Sequence, residues 1–237
     1  MTDHEAAILS EITYREPESA EEAASCVGWK SVPIFEGETE AYAFTRDGET
    51  VIGFRGTSSF SDAITDLKAK KVSGPMNHEK HRGFVEYVDR VWKKLVPIVE
   101  YSDSVKFVGH SLGGAAAQIA AYRFAISGLK AKSIVTFGGP RAGGRGFVDA
   151  YDSMLGDRTR RYRRVLDPVP HLPPRRWGYR HTVGERYIDR NGKIHERIGW
   201  WAAAWDKLVA GTVGRRLDGK PEPLAAHSVD DYVKALS

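Results

Sequence analysis

"VKFVGHSLGGAAAQIAAYRFAIS", residues 105–127, decides how this chain is read. It opens as a short apolar strand, passes through a serine flanked by glycines, and continues as an alanine-rich run of helical composition. In a strand–turn–helix setting, Gly109-His110-Ser111-Leu112-Gly113 reads as a nucleophile elbow rather than a plain tight turn. The serine of an elbow sits in a strained strand-to-helix turn, where side chains on its flanks would meet neighbouring backbone. That strain lifts the Ser111 hydroxyl above the sheet edge. The amides at the helix N-terminus then face the place where an oxyanion develops.

The flanking segments fit this reading. "EAYAFTRDGETVIGF" (40–54) reads as a hairpin turning at Asp47-Gly48. From Gly83 to Val96, apolar residues at Phe84, Val88, Val91, Trp92, Leu95 and Val96 predict a helix, which Pro97 is expected to end or kink. "SIVTFGGP" (133–140) and "RYRRVLDP" (161–168) read as strands, and "RYIDRNGKIHERI" (186–198) as a hairpin around Asn191-Gly192. Residues 4–26 read as helical, broken at Pro17. Strands alternating with helices predict an α/β fold with a mostly parallel central sheet and helices on both faces.

Composition bounds the answer. The chain has 237 residues, 41% of them hydrophobic, which suits a single α/β domain over residues 1–237 with a substantial core. The one cysteine, Cys26, excludes an intramolecular disulfide and a cysteine-rich zinc site. No ligand cluster suggests a metal or a cofactor. The opening "MTDHEAAILSEITYREPE" is acidic and has no apolar run, so no Sec signal peptide is expected. No stretch approaches the ~18 apolar residues of a transmembrane segment. The expected location is the cytoplasm, or outside the cell by a route without a Sec signal peptide.

The net charge is +4, concentrated in "RTRRYRR" (158–164) and in Arg175-Arg176. No nucleic-acid-binding motif accompanies these runs, so no nucleic acid partner is expected. The longer run leads into Val165-Leu166-Asp167-Pro168 and reads as a solvated strand face.

An elbow needs an acid and a base, which follow the serine in that order in α/β-hydrolases. Asp167 closes a strand and precedes a proline, the place an orienting acid occupies; Asp152 and Asp189 fit less well. Among the later histidines, His195 falls in the hairpin and His171 is too close to Asp167. His227 follows the Pro/Gly loop "DGKPEPLAA" and precedes "SVDDYVKAL", where Ser228 and Asp231 form a helix-start signal. His227 is the first choice as base and His181 the reserve.

At these residues the chain resembles the class 3 lipase family, the α/β-hydrolases that include the filamentous-fungal lipases. "VIGFRGTSSFSDAITDL" (51–67) is similar to the family's FRG[TS] oxyanion segment, and "HRGF" (81–84) to its H-x-GF. "VGHSLGGAAAQIAA" is similar to its elbow, "TFGGPRAG" (136–143) to its FG-x-PR-x-G, and "DPVPHLPP" (167–174) to its D-x-VP-x-LPP. "GYRHTVGE" (178–185) and "HSVDDY" (227–232) resemble its H-x-x-G-E and terminal H-x-x-x-x-Y. The resemblance runs over roughly residues 40–235. It implies Ser111 as nucleophile, Asp167 as acid, His227 as base, and Thr57 with the Leu112 amide as the oxyanion pair.

The resemblance also implies a lid after Thr57. Phe60, Ile64 and Leu67, at i, i+4, i+7 spacing, are its expected apolar face, and Pro140 is placed with them as substrate-binding. Where the family often has Asp-Trp in the lid, this chain has Asp62-Ala63, so only modest interfacial activation is expected. "GWWAAAWDKLVAGTV" (199–213) sets Trp201, Trp205 and Leu208 on one helical face, either a pocket wall or membrane-touching helix, or ordinary core. The implied activity is hydrolysis of acyl esters, acylglycerols first, with transient lipid-surface contact. Phospholipase A1 or feruloyl-type esterase action, and a non-catalytic binding module on the same fold, are the alternatives.

Overall fold

Apolar residues of the central strands alternate between two cores, and this places helices on both faces of one sheet. In the computed structural model, residues 1–56, 71–73, 79–100, 102, 104–129, 131–196, 198–199, 204–205, 208 and 227–237 are described. The strands are β1 (Lys30–Glu36), β2 (Thr39–Arg46), β3 (Glu49–Phe54), β4 (Lys71–Ser73), β5 (Glu79–His81), β6 (Ser104–His110), β7 (Ala131–Phe137), β8 (Gly143–Gly144), β9 (Thr159–Arg164), β10 (Tyr179–Arg180), β11 (Glu185–Ile188) and β12 (Ile194–His195). The helices are α1 (Asp3–Ile12), α2 (Pro17–Cys26), α3 (Arg82–Val99), α4 (Leu112–Ile126), α5 (Arg145–Leu155) and α6 (Val229–Leu236).

The main sheet has the order β1-β2-β3-β6-β7-β9-β11-β12. From β3 through β6, β7 and β9 to β11 every pairing is parallel, and the outer pairings are antiparallel. This is the expected mostly parallel sheet. Phe107 and Ile134 point into a core shared with α3, α4 and α5, while their neighbours Val108 and Val135 point into a second core under α1, α2 and α6. Helix α4 is buried almost all round, which its alanines permit by letting sheet and helices approach closely. A smaller antiparallel sheet, β10-β8-β5-β4, hangs beside the main one.

Several local expectations hold. Asp47 and Gly48 both take positive φ, 47° and 76°, the paired left-handed turn a two-residue hairpin needs. Pro17 separates two helices and starts the second, where its missing amide is harmless. The hairpin at Asn191-Gly192 pairs Tyr187 with His195 and Ile188 with Ile194.

Others do not. Pro97 does not end α3, which runs on to Val99. Pro97 offers no amide to the carbonyl of Lys93, four residues back, and both residues are exposed. Ser228 is the N-cap of α6, where the start signal places it, although its side chain makes no capping hydrogen bond and Asp231 pairs with Arg164. The basic run is not a solvated face. Strand β9 lies inside the sheet between β7 and β11, so its arginines find internal partners. Arg160 pairs with Asp3, Arg163 with Glu185 and Arg164 with Asp231. Buried Arg161 donates to the carbonyls of Thr182 and Val183, and burial lowers its pKa to about 10. Of the tryptophan-rich stretch, Trp205 and Leu208 are 64% and 60% exposed, against the core-packing alternative, and Trp201 lies outside the described residues.

Candidate active site

Strand β6 ends at His110, α4 begins at Leu112, and Ser111 makes the turn between them with φ 57° and ψ −131°. A non-glycine residue in that region is strained by about 1–3 kcal/mol, and here flanking bonds hold it. The Ser111 amide donates to the Phe137 carbonyl at 2.9 Å, and the Gly114 amide donates to the Ser111 carbonyl at 2.9 Å. Gly113 packs so tightly on the end of β3 that a Cβ there would collide with the Phe54 carbonyl oxygen. The elbow is thereby pressed against the chain leading into Thr57.

The three residues chosen from sequence meet at this turn. His227 Nε2 lies 2.8 Å from Ser111 Oγ, and His227 Nδ1 lies 3.0 and 3.1 Å from the two carboxylate oxygens of Asp167. Asp167 is placed by a sharp bend after β9, where Leu166 takes a positive φ of 69°. The Val169 amide donates to Asp167 Oδ1 at 3.0 Å. Tyr232, on the first turns of α6, donates to Oδ2 at 2.6 Å. All three triad side chains are buried, so their hydrogen bonds act in a low-dielectric setting.

The competing candidates are engaged elsewhere. Asp189 pairs with His195 within the hairpin. Asp152 accepts from the Val183 amide, and His181 Nε2 bonds the Pro170 carbonyl at 2.6 Å. Leu112 is the first residue of α4, so its amide has no partner within the helix. Pro140 is buried in the turn after β7. Thr57, Phe60, Ile64 and Leu67 lie outside the described residues.

Two residues near the triad were missed by sequence reasoning. His110 stacks on His227 with ring centroids 4.5 Å apart, and its Nδ1 bonds the phenol of Tyr14, just past α1, at 2.8 Å. Burial, and then the neighbouring His227, push the His110 imidazole well below its usual pKa and keep it neutral. Burial pushes the Tyr14 phenol up. A Cβ on Gly56 would strike the Tyr14 hydroxyl, so the same phenol abuts the residue before Thr57. In the elbow motif His110 occupies an unspecified position, and nothing local marks Tyr14. Tyr232 was visible as the end of the H-x-x-x-x-Y block but carried no assigned role.

The sheet order, the serine elbow and the acid and histidine on later loops define an α/β-hydrolase. A family model, lipase (class 3), matches residues 51–177, and the chain belongs to that family. It is 33% identical over 178 residues to lipase A of Sodiomyces alcalophilus, covering 59% of this chain and 43% of that protein. It is 29% identical over 208 residues to phospholipase A1-II 2 of Oryza sativa subsp. indica, covering 70% of this chain and 51% of that one. The chain thus spans about half the length, or less, of these relatives. The solved structure of the Rhizomucor miehei triacylglyceride lipase superposes with a TM-score of 0.70 at 28% identity, covering 80% of each chain. Among the described residues, no helix is long and apolar enough to cross a membrane.

Proposed function

We propose that this protein is a serine carboxylic-ester hydrolase that cleaves acyl esters, acylglycerols first, through an acyl-enzyme. The observation that carries the reading is the continuous hydrogen-bonded chain Ser111–His227–Asp167 at the turn that opens α4. His227 Nε2 takes the Ser111 proton as the oxygen attacks the ester carbonyl. The C–O bond to the alcohol breaks as His227 returns the proton to the leaving oxygen. Water, deprotonated by His227, then attacks the acyl-enzyme and releases the acid. Asp167 holds the imidazole orientation and offsets its positive charge. The Leu112 amide, with Thr57, holds the tetrahedral oxyanion. Phe60, Ile64, Leu67 and Pro140 keep the lid and substrate-lining roles that family membership suggests, within one domain over residues 1–237.

A panel of p-nitrophenyl esters of rising chain length, acylglycerols, phosphatidylcholine and a feruloyl ester tests this, with Ser111→Ala as blank. Acylglycerols as the best substrates support the reading. Preference for the phospholipid or feruloyl ester moves the assignment within the class, and no turnover of any ester returns it to a binding module.

A further inference from the structure

The two basic runs of the sequence have opposite fates. The arginines of β9 are absorbed by Asp3, Glu185, Asp231 and backbone carbonyls. Arg175 and Arg176 are exposed and have no carboxylate partner among the described residues. They open a short 3-10 turn, Arg175–Trp177, that ends in a tryptophan 49% exposed to water. Arg180 joins them: its Nη1 donates to the carbonyls of Arg175 and Tyr179, which fixes the turn and leaves the charge without a carboxylate partner among the described residues. Behind the turn lies buried Arg141, whose guanidinium donates to the carbonyls of His171 and Pro173. Burial, and then the charges of Arg175, Arg161, Arg180 and Arg163, lower its pKa to about 10. The charged neighbours that shift Arg141 are all arginines; of these Arg163 is paired with Glu185, while Arg175 and Arg180 have no carboxylate partner among the described residues.

Contacts connect this turn to the segments that carry Asp167 and flank His227. The turn directly follows the segment that Asp167 begins, and Arg141 clamps that segment to the loop after β7. Strand β10 pairs Tyr179 with Gly144 and Arg180 with Gly143, at the end of that same loop. Gly138, at its start, packs against both Asp167 and His227.

We propose that Arg175, Arg176, Trp177 and Arg180 form a docking surface for a membrane bearing anionic phosphodiester headgroups, which seats the protein on the lipid beside its active site. Guanidinium groups recognise phosphate oxygens through paired donors. An exposed tryptophan among cations suits the bilayer interface, where an indole is half apolar and half wet. This surface extends the active-site reading, and its binding is measured without turnover.

The test uses the Ser111→Ala protein, so that no lipid is consumed, sedimented with vesicles of phosphatidylcholine alone or mixed with phosphatidylglycerol. Partitioning to the mixed vesicles is expected to exceed that to neutral ones by tenfold or more and to collapse in concentrated salt. An arginine held at an anionic surface adds about fivefold, so Arg175→Ser with Arg176→Ser is expected to lower partitioning by about 25-fold. Trp177→Ala is expected to lower it severalfold. Unchanged thermal midpoints show that the variants fold, and the salt response of the parent tests the surface without them. Equal partitioning to both vesicle types overturns the proposal, as does the double variant binding like its parent. Retention by double-stranded DNA with no binding to the mixed vesicles also overturns it, in favour of a nucleic acid partner. Vesicle binding in a protein whose Ser111 form turns over no ester leaves the surface standing and removes the active-site reading alone.

Discussion

Tyr232 donates a 2.6 Å hydrogen bond to Asp167, so α6 fixes the acid of the triad as well as the histidine just before it. Tyr232→Phe keeps the buried ring and removes the donor. A buried carboxylate oxygen then loses a partner, at a cost of about 1–3 kcal/mol. The expected result is lower unfolding stability in urea and a kcat about tenfold lower on p-nitrophenyl butyrate, with KM little changed.

His227→Ala should lower turnover by about three or more orders of magnitude, because in the proposed reaction both proton transfers pass through its Nε2. His181 is bonded to the Pro170 carbonyl, so His181→Ala should cost far less. Steady-state rates of the two variants on one soluble ester decide it, and a reversed order would redraw the triad.

The Tyr14–His110 bond ties the end of the first helix to the residue before the nucleophile. Tyr14→Phe leaves His110 Nδ1 buried without a partner, at about 1–3 kcal/mol. The Gly56 backbone loses its polar neighbour at the same time. Urea unfolding and ester kinetics together should show reduced stability and a severalfold lower kcat. Wild-type values in both would mean the bond is idle.

His110 sets a pH dependence of stability. Its folded pKa lies well below the usual value of 6.5, chiefly through burial. Above pH 6.5 both folded and unfolded states hold it neutral, and its contribution is fully present. As pH falls below 6.5 the unfolded state takes up a proton that the folded state refuses, so stability drops by about 1.4 kcal/mol per pH unit until the folded pKa is reached. Between pH 6.5 and 5, urea titrations of wild type should show this slope in excess of His110→Asn. Parallel curves would contradict the assignment.

How much could be read beforehand follows from how local each signal is. Ser111, Asp167 and His227 are each marked by their immediate neighbours: a glycine-flanked turn, a following proline, and a loop before a helix. The fate of the β9 arginines was not legible, because Asp3, Glu185 and Asp231 reach them from three other elements. Tyr14 was invisible for the same reason, bonding a histidine 96 residues away. Pro97 does not stop α3 at once: the helix runs on to Val99, and the exposed proline forgoes only the bond to exposed Lys93.

The proposed reaction requires Ser111 as its nucleophile. Peptide mapping by mass spectrometry after treatment with a serine-directed fluorophosphonate tests it most directly. One adduct, on Ser111, is expected to appear as ester turnover disappears, with no adduct or turnover in Ser111→Ala. Label on another residue, or ester turnover surviving in Ser111→Ala, would contradict it.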